Sequence, residues 1–385
     1  MSDFPEVVVK EEYEEIRRWA KDFGQREIAP IAEKLDRTDE YSLDLARKMG
    51  EYGLLGLSIP EEYGGLGLGA VGAIIVAEEI AKVSLSAGLI IGVQNGLVGN
   101  AIAKFGSTKQ KEKYLPRLVK GEIICSFGLT EAGAGSDAAG ISTKAERAGE
   151  WYKISGSKLW ISQGMVADLI LLFARTSSQE DRAAGITSLI VEKGSDGFTV
   201  GSKLEVMGLR GTGTAELVFK DCRVPASSVL GTEGDGFLIA MAVLDEARIG
   251  AAAAAVGIAE AALDASMAYA KKRVLFRKTL SKFESIQFLI ADIATKISAA
   301  RLLTYRAAYL LETGKPFQRE AAMAKVFSSE TAVWACERAI QIHGGYGVSK
   351  LLPLERFLRD AKTLDIVEGA SEVQRWILAR DLLGL

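Results

Sequence analysis

Apolar and polar positions follow two different periods along this chain. Residues 11–34 are heavily charged, with apolar side chains at Ile16, Trp19, Ala20, Phe23 and Ile28, close to the 3.6-residue period of an amphipathic helix. Residues 42–52 repeat the pattern, 70–82 and 85–105 predict longer helices, and 109–119 a short amphipathic one. A turn-rich connector, Pro60-Glu61-Glu62-Tyr63-Gly64-Gly65-Leu66-Gly67-Leu68-Gly69, separates them. Near Gly121 the texture changes. Up to about Gly231 the apolar runs are short and often β-branched or aromatic, at 123–129, 151–154, 169–174, 187–191 and 217–219, with Gly, Ser and Asp between them. This predicts a small antiparallel β domain. No long helical period interrupts it and no Gly-x-Gly-x-x-Gly opens a helix, which argues against a parallel dinucleotide-binding sheet. From Gly236 the chain is Ala-rich and helical again, with helices predicted over 251–270, 285–313, 319–342 and 371–383. Small residues at 251–255 let helices approach closely, as in a four-helix bundle. The expected fold is α+β, with a helical domain over 1–121, a β domain over 122–231 and a helical bundle domain over 232–385.

Composition narrows the function. The 385 residues are 48% hydrophobic and 25% charged, with net charge −3, so no basic excess exists to attract nucleic acid. No stretch reaches about 18 uninterrupted apolar residues; residues 89–98 are broken by Gly, Gln and Asn. No membrane span is therefore expected. Met1 to Lys10 lacks a basic stretch followed by an apolar core, so no signal peptide is expected. Cys125, Cys222 and Cys336 have no paired spacing, which argues against a disulfide scaffold or zinc site. The expected compartment is the cytosol, or a mitochondrial matrix where a leader has been removed. His343 is the single histidine and is expected to be structural.

Three segments suggest chemistry. Cys125-Ser126-Phe127-Gly128-Leu129-Thr130-Glu131-Ala132-Gly133-Ala134-Gly135-Ser136-Asp137 turns from an apolar run into hydroxyls and glycines. Its free N–H and hydroxyl donors suit an anion or an acceptor-rich flat heterocycle. Lys158-Leu159-Trp160-Ile161-Ser162-Gln163-Gly164 follows, and Ile366-Val367-Glu368-Gly369-Ala370-Ser371-Glu372-Val373-Gln374-Arg375 lies near the C-terminus. In this order, over nearly the whole chain, the segments resemble the acyl-CoA dehydrogenase flavoprotein family, its short-chain and branched-chain members most.

The resemblance implies helical, β-barrel and helical domains, FAD, and a homotetramer in which FAD binds partly across subunits. It implies dehydrogenation of an acyl-CoA thioester to a trans-2-enoyl-CoA. In it Glu368 of the Glu-Gly-x-x-Glu/Asp motif takes the α-proton, flavin N5 takes the β-hydride, and electrons pass to an electron-transfer flavoprotein. A weak carbon acid needs a desolvated base poised near working pH. The residue before the arginine of the Leu-Asp-x-x-Arg motif, which carries the base in some relatives, is Ala247, so Glu368 is the candidate and Glu246 is expected to point elsewhere. By the same resemblance Phe127, Leu129, Thr130, Trp160 and Ser162 contact the flavin. Ser136, Asp245 and Arg248 contact the CoA ester, with Val367 and Gly369 beside the acyl group. Arg273, Phe276, Glu284, Gln341 and Gly345 receive the adenosine half of FAD, partly from a neighbouring subunit, and Ala370 and Glu372 complete the FAD contacts. On local sequence alone Trp160 also suits a strand core, Asp245 and Arg248 a plain salt bridge, and Glu368 a helix-capping carboxylate.

The chain departs from the family at Arg277 for Gly, Glu284 for Gln, Ala370 for Thr and Val367 for Tyr. Opposite charges at Arg277 and Glu284 suggest a compensating ion pair, and Val367 suggests tolerance of branched or cyclic acyl groups. Leu66, Leu68 and Val76 are candidates for docking the electron-transfer flavoprotein. Two alternatives stand beside dehydrogenation: an enoyl-CoA reductase, and a non-catalytic helical binding protein that kept the fold.

Overall fold

The computed structural model describes residues 11–385; the signal-peptide expectation for Met1 to Lys10 lies outside them. The first helical region holds α1 (Glu11–Phe23), α2 (Ala32–Thr38), α3 (Leu43–Glu51), α4 (Ala70–Val83), α5 (Leu85–Ile91), α6 (Asn100–Phe105) and α7 (Thr108–Val119). Local chemistry explains their starts. Ser42 and Ser84 accept from the N–H groups of Leu45 and Ala87, and Ser107 with Gln110 forms a capping box. The helix expected over 11–34 breaks into α1, a π turn at Gly24–Ile28, and α2. Residues 85–105 are helical throughout, with a π-wound middle at Gly92–Gly99. This run is long and apolar enough to cross a bilayer by composition, but 78% of it is buried inside the molecule. Gln94 in the π segment explains its placement. Its side chain is buried, donating to Ile123 O (2.9 Å) and accepting from Cys125 N (2.6 Å).

Eight strands follow: β1 (Cys125–Gly128), β2 (Lys144–Ala148), β3 (Trp151–Ile161), β4 (Leu169–Arg175), β5 (Ile186–Glu192), β6 (Phe198–Lys203), β7 (Ala215–Pro225) and β8 (Val229–Leu230). They pair in the order β6-β7-β3-β2-β4-β5-β8. Among the described residues no ladder joins β6 to β8, so the barrel is not closed by hydrogen bonds. The sheet is mostly antiparallel, as expected, but β1 runs parallel to β4. β2 meets β4 at one pair, Lys144 opposite Arg175. Buried Arg175 donates to the carbonyls of Ile141, Ala139 and Arg182, bracing that junction.

The C-terminal region opens with α8 (Gly236–Lys272), 37 residues long. At 1.5 Å per residue it spans roughly 55 Å. A short hairpin follows, β9 (Val274–Leu275) and β10 (Lys278–Thr279). Then come α9 (Glu284–Glu312), α10 (Gln318–His343), α11 (Leu354–Ile366) and α12 (Ser371–Leu383). Alanines of α8 and α10 face one another in one core with Ile293 and Ile297 of α9 and Phe357 and Leu364 of α11. On the other side α4 approaches so closely that a Cβ at Gly257 would sit 2.2 Å from Glu78 O. Fully buried Glu78 binds Arg17 and Arg301, tying α1, α4 and α9 together.

Arg359 joins all three regions. It makes a two-pronged bond to Asp36 of α2 (2.7 and 2.8 Å) and donates to Met207 O (2.7 Å) and to Glu355. Next to it, buried Asp360 accepts from Leu209 N at 2.7 Å. Burial pushes that carboxyl up to about 7, against the N–H bond and the Arg356 and Arg359 charges.

Candidate functional site

The site is built where β1 and β3 end beside the first half of α8. Phe127 and Leu129 share a core with Leu244 and Ala247, one turn from Arg248. Leu159 N donates to Thr130 O (2.9 Å), and Ser126 Oγ donates to Ser162 O (3.0 Å), bringing Thr130, Trp160 and Ser162 side by side. Trp160 is not core. It lies at an irregularity in the β3–β7 register with φ 63°, and is 56% exposed. A bulge turns a side chain out of its strand, here leaving a flat aromatic face free. Beneath these residues, buried Lys158 donates to Leu129 O (3.0 Å) and Glu131 (2.7 Å), while Glu131 also accepts from the N–H groups of Ser142 and Thr143. Burial alone would push the Glu131 carboxyl up; Lys158 and these donors bring it down to about 2. Burial takes Lys158 down to about 8.

Glu368 sits between α11 and α12 with φ 56°, and Gly369 follows at φ 89°. An L-residue in the left-handed region costs roughly 1–2 kcal/mol, so the turn needs external support. Gln374 Nε2 donates to Glu368 O (3.2 Å) and Gly369 O (2.9 Å). Lys325 Nζ donates to Asp365 O (3.1 Å) and Gly369 O (2.8 Å), and Arg248 Nε to Glu368 O (3.4 Å). Ser371 Oγ binds the Asp365 carboxylate. Burial raises the Glu368 carboxyl above its ordinary value, opposed by the charges of Arg248 and Lys325. Arg248 is buried, pairs with Asp245, and points at the Glu368 carbonyl rather than at solvent. Burial raises Asp245 as well, against the Arg248 charge. Glu368 is itself half-buried, as are Val367, Gly369 and Ala370 beside it, while Glu372 is exposed. Glu246 points elsewhere, to Lys104 and Asn100.

The remaining expected residues lie apart. Ser136 is exposed on the loop after β1. Arg273, Gln341 and Gly345 line a cleft of about 570 Å³ at the far end of α8, with Tyr269, His343 and Tyr346. His343 Nδ1 lies 2.7 Å from Ala339 O, and its ring stacks on Tyr269. Phe276, 87% exposed, and Arg277 form the tip of the β9–β10 hairpin with φ of 48° and 64°. Glu284, exposed, begins α9, and among the described residues no ion pair joins it to Arg277. The compensating pair is therefore not made within one chain. Val76 is fully buried in the helical core, so it cannot dock a partner; Leu68 is half-buried against that core and Leu66 is 39% exposed.

The donor set fits a flavin dinucleotide. Buried Gln163 Nε2, directly after Ser162, has no partner, and a Cβ at Gly133, Gly135 or Gly345 would meet nothing within 4 Å. Open backbone, hydroxyls and an exposed indole suit a flat, acceptor-rich ring and its phosphates. Sequence reasoning missed Lys325, Gln374 and the Lys158–Glu131 pair. One signal was available: Lys325 is the lone cation on a face of α10 made of Ala321, Ala322, Ser328, Ala332 and Ala335.

Comparison with known proteins agrees. Three family profiles match: acyl-CoA dehydrogenase N-terminal domain over residues 10–122, middle domain over 126–222 and C-terminal domain over 234–383. An acyl-CoA dehydrogenase of Bacillus subtilis (strain 168) is 46% identical over 376 residues, covering 98% of this chain and 99% of that protein. An acryloyl-CoA reductase (NADH) of Anaerotignum propionicum is 44% identical, covering 97% and 94%. Butyryl-CoA dehydrogenase from Megasphaera elsdenii superposes with TM-score 0.95 at 41% identity, covering 97% and 99%. A chain from a structure described as the electron transferring flavoprotein of Acidaminococcus fermentans superposes with TM-score 0.96 at 42% identity, covering 98% and 99%. With the motifs, the fold and nearly full-length relatives in agreement, this chain belongs to the acyl-CoA dehydrogenase family of FAD-dependent oxidoreductases.

Proposed function

We propose that the chain introduces a trans-2 double bond into a short acyl-CoA thioester, with Glu368 as the base. The observation that carries this is a carboxyl raised by burial in a turn whose Asp365, Glu368 and Gly369 carbonyls are each held by a side-chain donor. Desolvation brings a carboxylate closer to the pKa wanted for removing a proton from a weak carbon acid. The Glu368 carboxylate takes the α-proton, and donors around the thioester oxygen stabilise the enolate character that develops. Bound FAD would supply the acceptor for the β-hydride. Phe127, Leu129, Thr130, Trp160 and Ser162 would hold its ring, with Ala370 and Glu372 beside it. Ser136, Asp245 and Arg248 hold the CoA ester, with Val367 and Gly369 at the acyl group.

Arg273, Phe276, Glu284, Gln341 and Gly345 serve the adenosine half of a cofactor shared with another copy, in a homotetramer. The exposed Phe276, Val274 and Leu275 of the hairpin support this, since such an apolar tip needs cover. The similarity to a chain from an electron transferring flavoprotein structure supports that flavoprotein as the electron acceptor. The butyryl-CoA dehydrogenase supports a short acyl group. Adding butyryl-CoA to the purified yellow protein without oxygen should bleach the flavin within seconds; a protein that takes up no FAD on reconstitution would sink the proposal.

The acryloyl-CoA reductase relative favours a second reading, the same chemistry run backwards, with protonated Glu368 as the donor. Chemically reduced protein that re-oxidises with an enoyl-CoA much faster than oxidised protein bleaches with the saturated ester would favour it.

A further inference from the structure

Lys325 is fully buried on α10, yet no carboxylate pairs with it among the described residues. Burying an ammonium costs several kcal/mol even after relaxation, and a purely space-filling role needs no charge. Its donors go to two carbonyls that bracket the Glu368 turn. Asp365 O lies in the last turn of α11, where carbonyls lack intrahelical partners and a cation is favoured. Gly369 O lies immediately past the base.

We propose that Lys325 is the positioning residue of the catalytic turn, clamping Asp365 and Gly369 so that Glu368 stays in its left-handed conformation, and stabilising the Glu368 carboxylate by its charge. The inference rests on the reading of Glu368 as base. Gln374 holds the same turn from α12 but is neutral, so it supplies geometry without charge. The charged groups around Lys325 are Asp365, Glu368, Glu372 and Arg248. Of these, Asp365 is engaged by Lys362 and Ser371, and Arg248 by Asp245. Lys325 and Arg248 are thus the two cations acting on Glu368. Burial brings Lys325 down to about 8, so it remains largely charged at neutral pH.

The test uses full-length, FAD-loaded protein carrying Lys325→Gln, Lys325→Met or Lys325→Arg. Three quantities are read: the pH dependence of anaerobic flavin reduction by butyryl-CoA, affinity for a non-reducible acyl-CoA thioether, and hydrogen exchange over residues 365–374 in ligand-free protein. In Lys325→Gln and Lys325→Met the acid limb should move up by about one pH unit, as loss of a nearby opposite charge predicts. Reduction at pH 7 should fall roughly 100-fold, the scale of a small misplacement, with thioether affinity changed less than about threefold if the loss lies in the chemical step. Exchange over 365–374 should quicken at least about tenfold, reporting local opening. Lys325→Arg should keep the acid limb in place. An unmoved limb in Lys325→Gln, or unchanged exchange over 365–374 in both neutral variants, overturns the inference. If Lys325→Met does not hold FAD, Lys325→Gln, which keeps a donor, decides. Glu368→Gln separates the two claims. An acid limb that survives in it removes the base assignment, whereas a limb that vanishes there but does not move in Lys325→Gln removes only the role of Lys325.

Discussion

Phe276–Arg277 and Glu368–Gly369 are both consecutive residues at positive φ, and the molecule holds the two pairs in opposite ways. The first is the two-residue loop of a hairpin whose strands are two residues each, a position that favours Asn-Gly. Its residues are exposed, and the closest ring, Phe283, touches Phe276 only edge-on at 6.4 Å. The second is bound by Lys325, Gln374 and Arg248 through its carbonyls. Strain in the Glu368 turn is over-determined by its own chain, which is how strained geometry persists where chemistry needs it. Strain in the hairpin has no such support within one copy and is suited to being completed by a second.

The sharpest break in that comparison is Glu368→Gln. It should lower the rate of flavin reduction by roughly 10³-fold, the scale of a lost general base, with acyl-CoA binding retained. A rate within about tenfold of the parent, a barrier change of about 1.4 kcal/mol, would remove the base from the clamped turn. A carboxyl whose folded pKa is raised contributes stability below its unfolded pKa and loses it as pH rises through the folded value. Glu368→Gln should therefore be more stable than the parent at neutral pH, measured by urea denaturation.

The clamped side of the molecule carries a second buried acid, and it gives the next largest effect. Asp360, raised to about 7, contributes stability at low pH that is lost between about pH 4 and 7 as the folded form is forced to ionise. At about 1.4 kcal/mol per unit the slope amounts to a few kcal/mol. Asp360→Asn keeps an acceptor for Leu209 N and should flatten the slope; denaturation across that pH range checks it. A parallel slope in both proteins would place the titration elsewhere.

On the hairpin side, Phe276→Ala should weaken assembly by roughly tenfold or more, as truncation of an aromatic anchor does. Sedimentation would show lighter species at low concentration, with unfolding of the dissociated chain unchanged. The smallest effects come from relieving each strain. Arg277→Gly should stabilise the chain by up to about 1 kcal/mol. Gly369→Ala should destabilise it by more, because its Cβ would lie 2.5 Å from the Gln374 amide that holds the turn. Thermal melts compare the two, and equal, opposite shifts would erase the distinction.

Elements whose apolar faces are built from large side chains or alanine runs were readable from residue pattern. Strands 169–175 and 186–192 and the helices α9 and α10 fall in this class. β2 and β6 were not, because Ala145 is the one fully buried side chain of Lys144–Ala148 and Phe198–Lys203 has none. Helix α11 was missed because its buried face, Leu354, Phe357, Ala361 and Leu364, is diluted by charges that serve Arg359 and Asp360 contacts. The parallel β1–β4 pairing is a long-range choice that no local period encodes. At the site, Glu368, Thr130 and Trp160 were visible as motif members. Their supports were harder to read, since Lys325 acts on backbone carbonyls 40 and 44 residues away and Gln374 on two within its own turn, and beyond the lone cation on the α10 face no side-chain pairing marks them. Val76 was misread because an apolar residue near a glycine-rich connector looks the same whether it faces solvent or core.

Helix α8 acts as a ruler. Arg248, a third of the way along it, touches the Glu368 carbonyl, and Arg273 lies just past its C-terminal end, 25 residues on and so roughly 37 Å away along the axis. No rotamer change can bring two points that far apart on a rigid rod together. In the proposed assembly, each complete centre therefore draws on two copies, and damage at the two points falls on different centres. Two inactive chains, one with Glu368→Gln and the other with Arg273→Ala, should rescue each other when co-assembled, because some centres then receive both intact halves. A genetic screen would see complementation between alleles of a single gene.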